Sequence, residues 1–404
     1  MNDTILQKLS VVFLLVIASG ITSAGDPGIG LDSEFPDPDQ AKEFAGELTL
    51  VEHVNRQGIL RLDRDGSINK YYWDLPHQFK MLPYGAVYFH GAAAGLKDIP
   101  IGTHLHGQFY LGPKGPFEVK PPVSNYAAGK MARPDLRSVE SQYSRALLLE
   151  DDFSYYQRKG ISWKISKVDL ESNQIVVSSS ENQTLTLRVD RGTRVWKNKS
   201  IGTLADIETG QSILMNLGWV TLLGSFQQDA LCREIWLDEL SQQAATEVQR
   251  GIHIEHQKRR GIPAMITKTE HDPGKGAKGW VTAQLCSNVD AELLEAVKNA
   301  KSIRTKCVEP TLRMYSINVS GKGRVETVTN IETPQPGSSG IEMKIHFYEM
   351  QEGHRKGRII RIFAGDWTIP NIPREEWLRP NDLRIFNVEP KYITGRDLPK
   401  SDPK

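Results

Sequence analysis

The chain is written mostly in short alternations of apolar and polar residues. Leu48, Leu50 and Val54, then Ile59-Leu60-Arg61-Leu62 closed by Asp65-Gly66, and later Ala86-Val87-Tyr88-Phe89-His90, read as strands, whose period of two puts successive side chains on opposite faces. The rhythm returns at Trp163, Ile165 and Val168, at Ile175-Val176-Val177, and at Leu185, Leu187 and Val189. A third series covers Ala264 to Thr267, Trp280 to Leu285, Leu312 to Val319, Arg324 to Ile331, Ile341 to Tyr348 and Arg358 to Phe363. Short strands at near-regular spacing predict small barrels rather than an α/β sheet.

Two segments change period. From Arg233 to Arg260 the residues Trp236, Leu240, Ala244, Val248 and Ile252 recur every four positions, the mark of a helix with one apolar stripe to bury against a neighbouring barrel. The basic turn Lys258-Arg259-Arg260 followed by Gly261 and Pro263 stops it. A second helix is expected over Asp290 to Ala300, capped by Asn288, with Glu292 and Glu295 near its positive end. The charged, aromatic stretch from Leu136 to Gly160 reads as a short helix that packs Tyr155-Tyr156 back onto a barrel, with Glu150-Asp151-Asp152 in a solvated loop.

One pattern occurs twice. Leu96-Lys97-Asp98-Ile99-Pro100-Ile101-Gly102 and Leu204-Ala205-Asp206-Ile207-Glu208-Thr209-Gly210 both read L-x-D-I-x-x-G, each after β-like runs and before another one, at Thr103 to Leu111 and Ile213 to Leu223. That is a duplicated module. Asp98 and Asp206 suit a tight turn by accepting backbone hydrogen bonds, Ile packs inward, and Gly102 and Gly210 supply a conformation other residues resist. With its Trp163 to Val168 strand, its Thr193-Arg194-Val195 step and this turn, the second module resembles the OB-like repeat domains of exported bacterial proteins of unknown function. The resemblance spans the two duplicated modules, although the first lacks the Thr-x-Val step. It implies a barrel and brings no activity with it.

The expected fold is therefore mainly β with inserted helices: tandem small OB-like β-barrels, helical connectors and an extended C-terminal tail. The division is a signal peptide over 1–24, a linker over 25–45, a first OB-like module over 46–122, a connector over 123–160, a second module over 161–232, an amphipathic helix over 233–261, a third β module with an inserted helix over 262–366, and a tail over 367–404. The signal reading rests on Lys8, the apolar run Leu9 to Ile21 and the small residues Thr22-Ser23-Ala24 before Gly25. It implies a secreted or periplasmic protein with no transmembrane segment once the signal is removed.

Composition narrows the function classes. The 404 residues carry a formal charge of +1, a balance that disfavours nucleic acid and other polyanions as dedicated partners. Three cysteines, Cys232, Cys286 and Cys307, lack zinc-site spacing; Cys286 and Cys307 flank the expected second helix and pair in one reading, while in the other all three are buried thiols. Neither a G-x-S-x-G elbow nor a phosphate-cradling glycine loop with a lysine is present.

The sharpest chemical pattern is His104-Leu105-His106, since residues two apart on a strand share a face and offer two imidazoles to one metal, with His90 as a third ligand. His253-Ile254-Glu255-His256 has its histidines three apart rather than four and reads as a solvated helix end. Tyr72, Trp73, Phe109 and Tyr110 are the aromatics that suit stacking on a sugar. The leading expectation is a non-enzymatic binding or scaffold protein without cofactor, whose partner is a protein or polysaccharide of the cell envelope. The rival is a metal-binding protein or metal-dependent hydrolase built on His90, His104 and His106, and the next is a polysaccharide binder that uses an aromatic barrel face.

Overall fold

In the computed structural model, which describes residues 34–53, 56–63, 76–112, 143–223, 227–272, 278–310, 315–350 and 352–371, the alternating runs pair into three closed barrels. The first uses β1 (Lys42–Glu52), β2 (Gln57–Leu62), β3 (Pro76–Phe89), β5 (His104–Tyr110) and β6 (Arg145–Asp151), with the two-residue β4 (Ala92–Ala93) hanging from β3. The order is β1-β2-β3-β6-β5 and back to β1, and only β3 and β6 run parallel. Leu48, Leu60, Phe79, Val87, Leu105, Phe109 and Leu149 fill its core.

The second barrel repeats this order. Its wall is β7 (Trp163–Asp169), β8 (Gln174–Ser179), β9 (Thr184–Arg188), β12 (Ser212–Leu223) and β13 (Gln227–Trp236), closed as β7-β8-β9-β13-β12, again with one parallel pair, β9 with β13. A small hairpin of β10 (Arg194–Lys197) and β11 (Ser200–Ile201) leans on β13. Both barrels are five-stranded Greek keys of the OB type. The L-x-D-I-x-x-G segment occupies one place in both, immediately before the fourth wall strand. There Asp98 accepts from the Gly95 N–H at 2.8 Å and Asp206 from the Thr203 N–H at 2.8 Å, Ile99 and Ile207 are buried, and Gly102 and Gly210 take φ of 90° and 88°.

The third barrel is different: six strands, all antiparallel, in the order β14 (Ile262–His271), β15 (Gly279–Cys286), β18 (Ser338–Phe347), β17 (Tyr315–Asn330), β16 (Ser302–Pro310) and β19 (Ile359–Ala364), which returns to β14. Strand β16 has no counterpart among the alternations read from the sequence. The inserted helix is α3 (Ala291–Lys298), capped by Asp290, whose side chain accepts from the Glu292 N–H; Asn288 instead donates to the Ala94 carbonyl of the first barrel. Leu293 and Val297 plug the barrel core.

Two more helices join the barrels. α1 (Asp152–Lys159) follows β6 directly, and α2 (Glu239–Arg260) connects the second barrel to the third. The start of α2 lies later than the apolar spacing suggests because Arg233 to Trp236 extend β13. Its stripe also faces the other way: Leu240, Val248 and Ile252 are exposed, while Ser241, Gln249, His253, Ile254 and Gln257 are buried. The helix docks by hydrogen bonds. Thr246 donates to the His90 carbonyl at 2.7 Å, Gln257 to that of Asn288, and Ser241 accepts from the Lys199 N–H at 2.9 Å. First and third barrels meet through Phe35, Leu82, Tyr84, Tyr110, Leu147, Met265 and Cys286.

Cys232 and Cys286 are free, buried thiols, so Cys286 takes no part in a disulfide. Among the described residues no helix is long and apolar enough to cross a membrane. Residues 1–33 and 372–404, which hold the expected signal and most of the expected tail, lie outside the described residues, as do Tyr72 and Trp73.

Two measurements probe this construction. A Cβ on Gly210 meets nothing within 4 Å, so Gly210→Ala isolates the cost of the left-handed backbone and is expected to destabilise by about 1–2 kcal/mol in chemical denaturation. Burial in the third barrel holds His354 at about 4, below the usual histidine range. The unfolded chain therefore takes up a proton below about 6.5 that the folded one refuses, and stability falls as pH drops from about 6.5 toward 4, by at most about 3 kcal/mol. Denaturation curves of the parent and His354→Leu across this range are expected to differ in slope, the variant being flatter.

Candidate metal centre at the junction of the first two barrels

β6 runs apolar through Ala146 to Leu149 and ends in Glu150 and Asp151, and a third acid, Asp152, opens α1. Asp151 is the helix cap: Oδ1 accepts from the Ser154 N–H at 3.0 Å and from the Ser154 hydroxyl. Its Oδ2 accepts from the His90 N–H at 3.0 Å and from Asn216 Nδ2 at 2.8 Å. Asn216 then returns the bond, its Oδ1 accepting from the Phe153 N–H at 2.9 Å. Since Asn216 belongs to β12, the second barrel completes the cap of a helix that grows from the first. Burial raises the Asp151 carboxyl above the ordinary range, against the pull of His90, Ser154 and Asn216.

Asp152 is fully buried beside it. Its Oδ2 accepts from the Leu217 N–H at 2.8 Å, where β12 loses register with β13 and frees that amide to point out of its own barrel. Its Oδ1 lies 2.8 Å from His104 Nδ1 and 2.9 Å from His106 Nε2. The two histidines share the outer side of β5, Leu105 between them pointing into the core. The packed helix and β12 convert this outer side into interior: His104 is 3% exposed. His104 Nε2 meets Asp63 Oδ2 at 2.9 Å, just past the end of β2. The His106 ring stacks on Tyr155 at 3.7 Å and 8°, and it borders a groove of about 160 Å3 with Glu43, Gln108, Glu150 and Arg158 along its walls.

Three donor atoms thus converge, one each from His104, His106 and Asp152, all within 4.8 Å of one another. Burial alone would push the His104 imidazolium down, but Asp152 and Asp63 outweigh it and hold the group well above the usual histidine range. Asp152 mirrors this: burial pushes its carboxyl up, and His104 and His106 pull it well below. With no metal bound, His104 is an imidazolium that donates to a carboxylate from each nitrogen. A divalent cation would take the place of the proton on Nδ1. Tetrahedral edges for zinc are about 3.3 Å, so Asp152 Oδ1, at 2.8 Å from His104 Nδ1 and 2.9 Å from His106 Nε2, would have to draw back from each nitrogen by about half an ångström.

The outer contacts suit such an ion. A ligating histidine usually donates its second N–H to a carboxylate, as His104 would to Asp63, and a ligating carboxylate is itself hydrogen-bonded, as Asp152 is by Leu217. His106 is oriented by Tyr155, and the groove beside it leaves room for a fourth ligand such as water.

The structure does not bring His90 to this cluster. Its backbone sits at φ 52°, and its Nε2 pairs with Glu234 at 3.1 Å, a second cross-link to the second barrel that Arg194 and Trp196 also join. Phe109 and Tyr110 are buried, one in the first core and one where the first barrel meets the third, so neither ring is available to stack on a sugar. Glu150, Asp151 and Asp152 are buried rather than solvated, and His253 is buried against the Asn288 carbonyl rather than at a wet helix end. Asp63, Asp152 and Tyr155 belong to the site although the sequence placed none of them in it: Asp152 read as part of a solvated loop and Tyr155 as a packing residue. An aspartate before a helix with serine three residues on is the capping signal that would have drawn attention to Asp151.

No family model and no curated protein matches the chain. A solved structure entitled "Crystal structure of Ag(I)CusF" matches with a TM-score of 0.14 and 16% identity, over 19% of this chain and 93% of that one.

Removing the Asp151 carboxylate leaves the His90 and Ser154 amides and the Asn216 side chain without their acceptor. Asp151→Ala is expected to cost at least about 3 kcal/mol in urea denaturation, and Asn216→Ala less, because it strands fewer groups.

Proposed function

We propose that this chain is an exported metal-binding protein, in which His104, His106 and Asp152 hold one divalent cation of borderline softness such as Zn2+. The observation that carries this reading is the arrangement around the donors: two imidazoles and one carboxylate converge, and the distal nitrogen of His104 and the distal oxygen of Asp152 each have a hydrogen-bond partner of the kind a metal site uses. Two imidazoles and a carboxylate suit zinc or copper better than magnesium or calcium, which prefer oxygen. His106 and the groove at its side supply access from solvent.

A second reading keeps the cluster as a permanent charged joint that holds two barrels at a fixed angle, in a scaffold that offers its surfaces to a partner in the envelope. It is supported by the bonds that Asn216 and Leu217 of the second barrel make to Asp151 and Asp152, and by the His90–Glu234 pair, which cross-links the same barrels without a metal.

The two readings separate on stoichiometry. The purified protein, equilibrated with Zn2+ or Cu2+ and then gel-filtered, is expected to retain one metal per chain by mass spectrometry, and His106→Ala to lose it while its thermal unfolding stays close to that of the parent. His106 is the choice because it is half-buried, whereas His104 is needed for folding in either reading. A protein that retains no metal under these conditions would overturn the metal reading and leave the fixed joint.

A further inference from the structure

The first repeat turn, the last turns of α2 and the segment after β19 border an open groove of about 620 Å3, which shares no lining residue with the groove beside His106 and falls within the size range of small-molecule sites. Lys97 comes from the turn, His256, Lys258 and Arg259 from the helix, and Trp367 and Pro370 from the segment that follows β19. Glu255 is the carboxylate on its wall. Lys97 reaches Asp98 at 2.6 Å, and Lys258 lies 3.7 Å from Glu292, too long for a hydrogen bond.

Further positive charge stands behind the groove. Arg361 lies directly across the sheet from Lys306, a like-charged pairing that sheets avoid. Its guanidinium is held down at about 9 by burial and by Arg260 and Arg56, against the Cys286 thiol. Burial together with Lys97, Arg260, Arg361 and His253 holds the His256 imidazole at about 3, so the ring in the groove is neutral. Positive charge thus gathers at one spot of a chain whose formal charge is only +1.

We propose that this groove binds a small phosphorylated ligand, its phosphate set against Lys97, Lys258 and Arg259 and its ring or apolar body against Trp367. Phosphate fits better than a carboxylate because it offers more acceptor oxygens and more charge to a set of cations spread over two chain segments. Bound phosphate also reverses the field at His256, which then takes up a proton and becomes a further donor. The charges that set this response are Lys97 on the turn, His253, Glu255, Lys258, Arg259 and Arg260 on α2, and Arg361 on β19. Nothing in this site depends on the metal reading.

The probe is phenyl phosphate, with phenol as the uncharged control, titrated into the full chain by calorimetry and by the His256 ring resonances. Saturable one-to-one binding is expected, with an upward move of the His256 titration by at least about one pH unit. Lys97→Ala with Lys258→Ala is expected to weaken it at least about tenfold, and Lys97→Arg with Lys258→Arg to retain it. Absence of saturation, equal affinity in the double alanine variant, or the same His256 response to phenol would each overturn the proposal.

Discussion

Two adjacent carboxylates at the corner where β6 becomes α1 are the constraint on which the rest of the arrangement depends. Asp151 and Asp152 are both inaccessible to water. A buried carboxylate is tolerable only when its oxygens are met by donors, and here the donors come from three places: the helix that follows, the outer face of the first barrel, and β12 of the second. The corner cannot be satisfied by either barrel alone. Docking the barrels and solvating the acids are therefore alternatives, and the folded chain has taken the first.

That choice explains why a surface became an interior. His104 and His106 stand on the side of β5 that an isolated barrel would turn to water, and Leu105 and Phe109 fill its core. Once α1 and β12 cover them, imidazoles and carboxylates find themselves in a medium where charges interact strongly. A site with matched charges and fixed rings results from ordinary barrel packing. The third barrel joins differently, through the apolar cluster around Leu82, Tyr84 and Met265 and through the polar side of α2.

Strand alternation and the repeated turn were legible in the sequence because both are local: period two reports which face a residue takes, and the turn is closed within a few residues of its aspartate. The closed, mainly β architecture followed from them. What lay beyond reach was set by neighbours distant in the chain. Glu150-Asp151-Asp152 has the composition of a solvated loop, and it is buried by partners distant in the chain, Asn216 on Asp151 and His104, His106 and Leu217 on Asp152, with Arg158 of the following helix on Glu150. The every-fourth-residue stripe of α2 drifts around a helix of 3.6 residues per turn, and the barrels offered that helix carbonyls rather than an apolar groove, so its glutamines and histidine turned inward. For the His104 pair, the face was readable from β periodicity; its third partner, 46 residues further along, was not.

The cap shared across the junction bears on the order in which the chain takes shape. Synthesis delivers the first barrel before the second, and Asn216 follows Asp151 by 65 residues. Until β12 emerges, the corner between β6 and α1 must be held by water or by whatever chaperone escorts the chain. The first barrel is thus a provisional structure that the arrival of the second one makes final, and pulling the two apart would return two acids to solvent and the outer face of β5 with them.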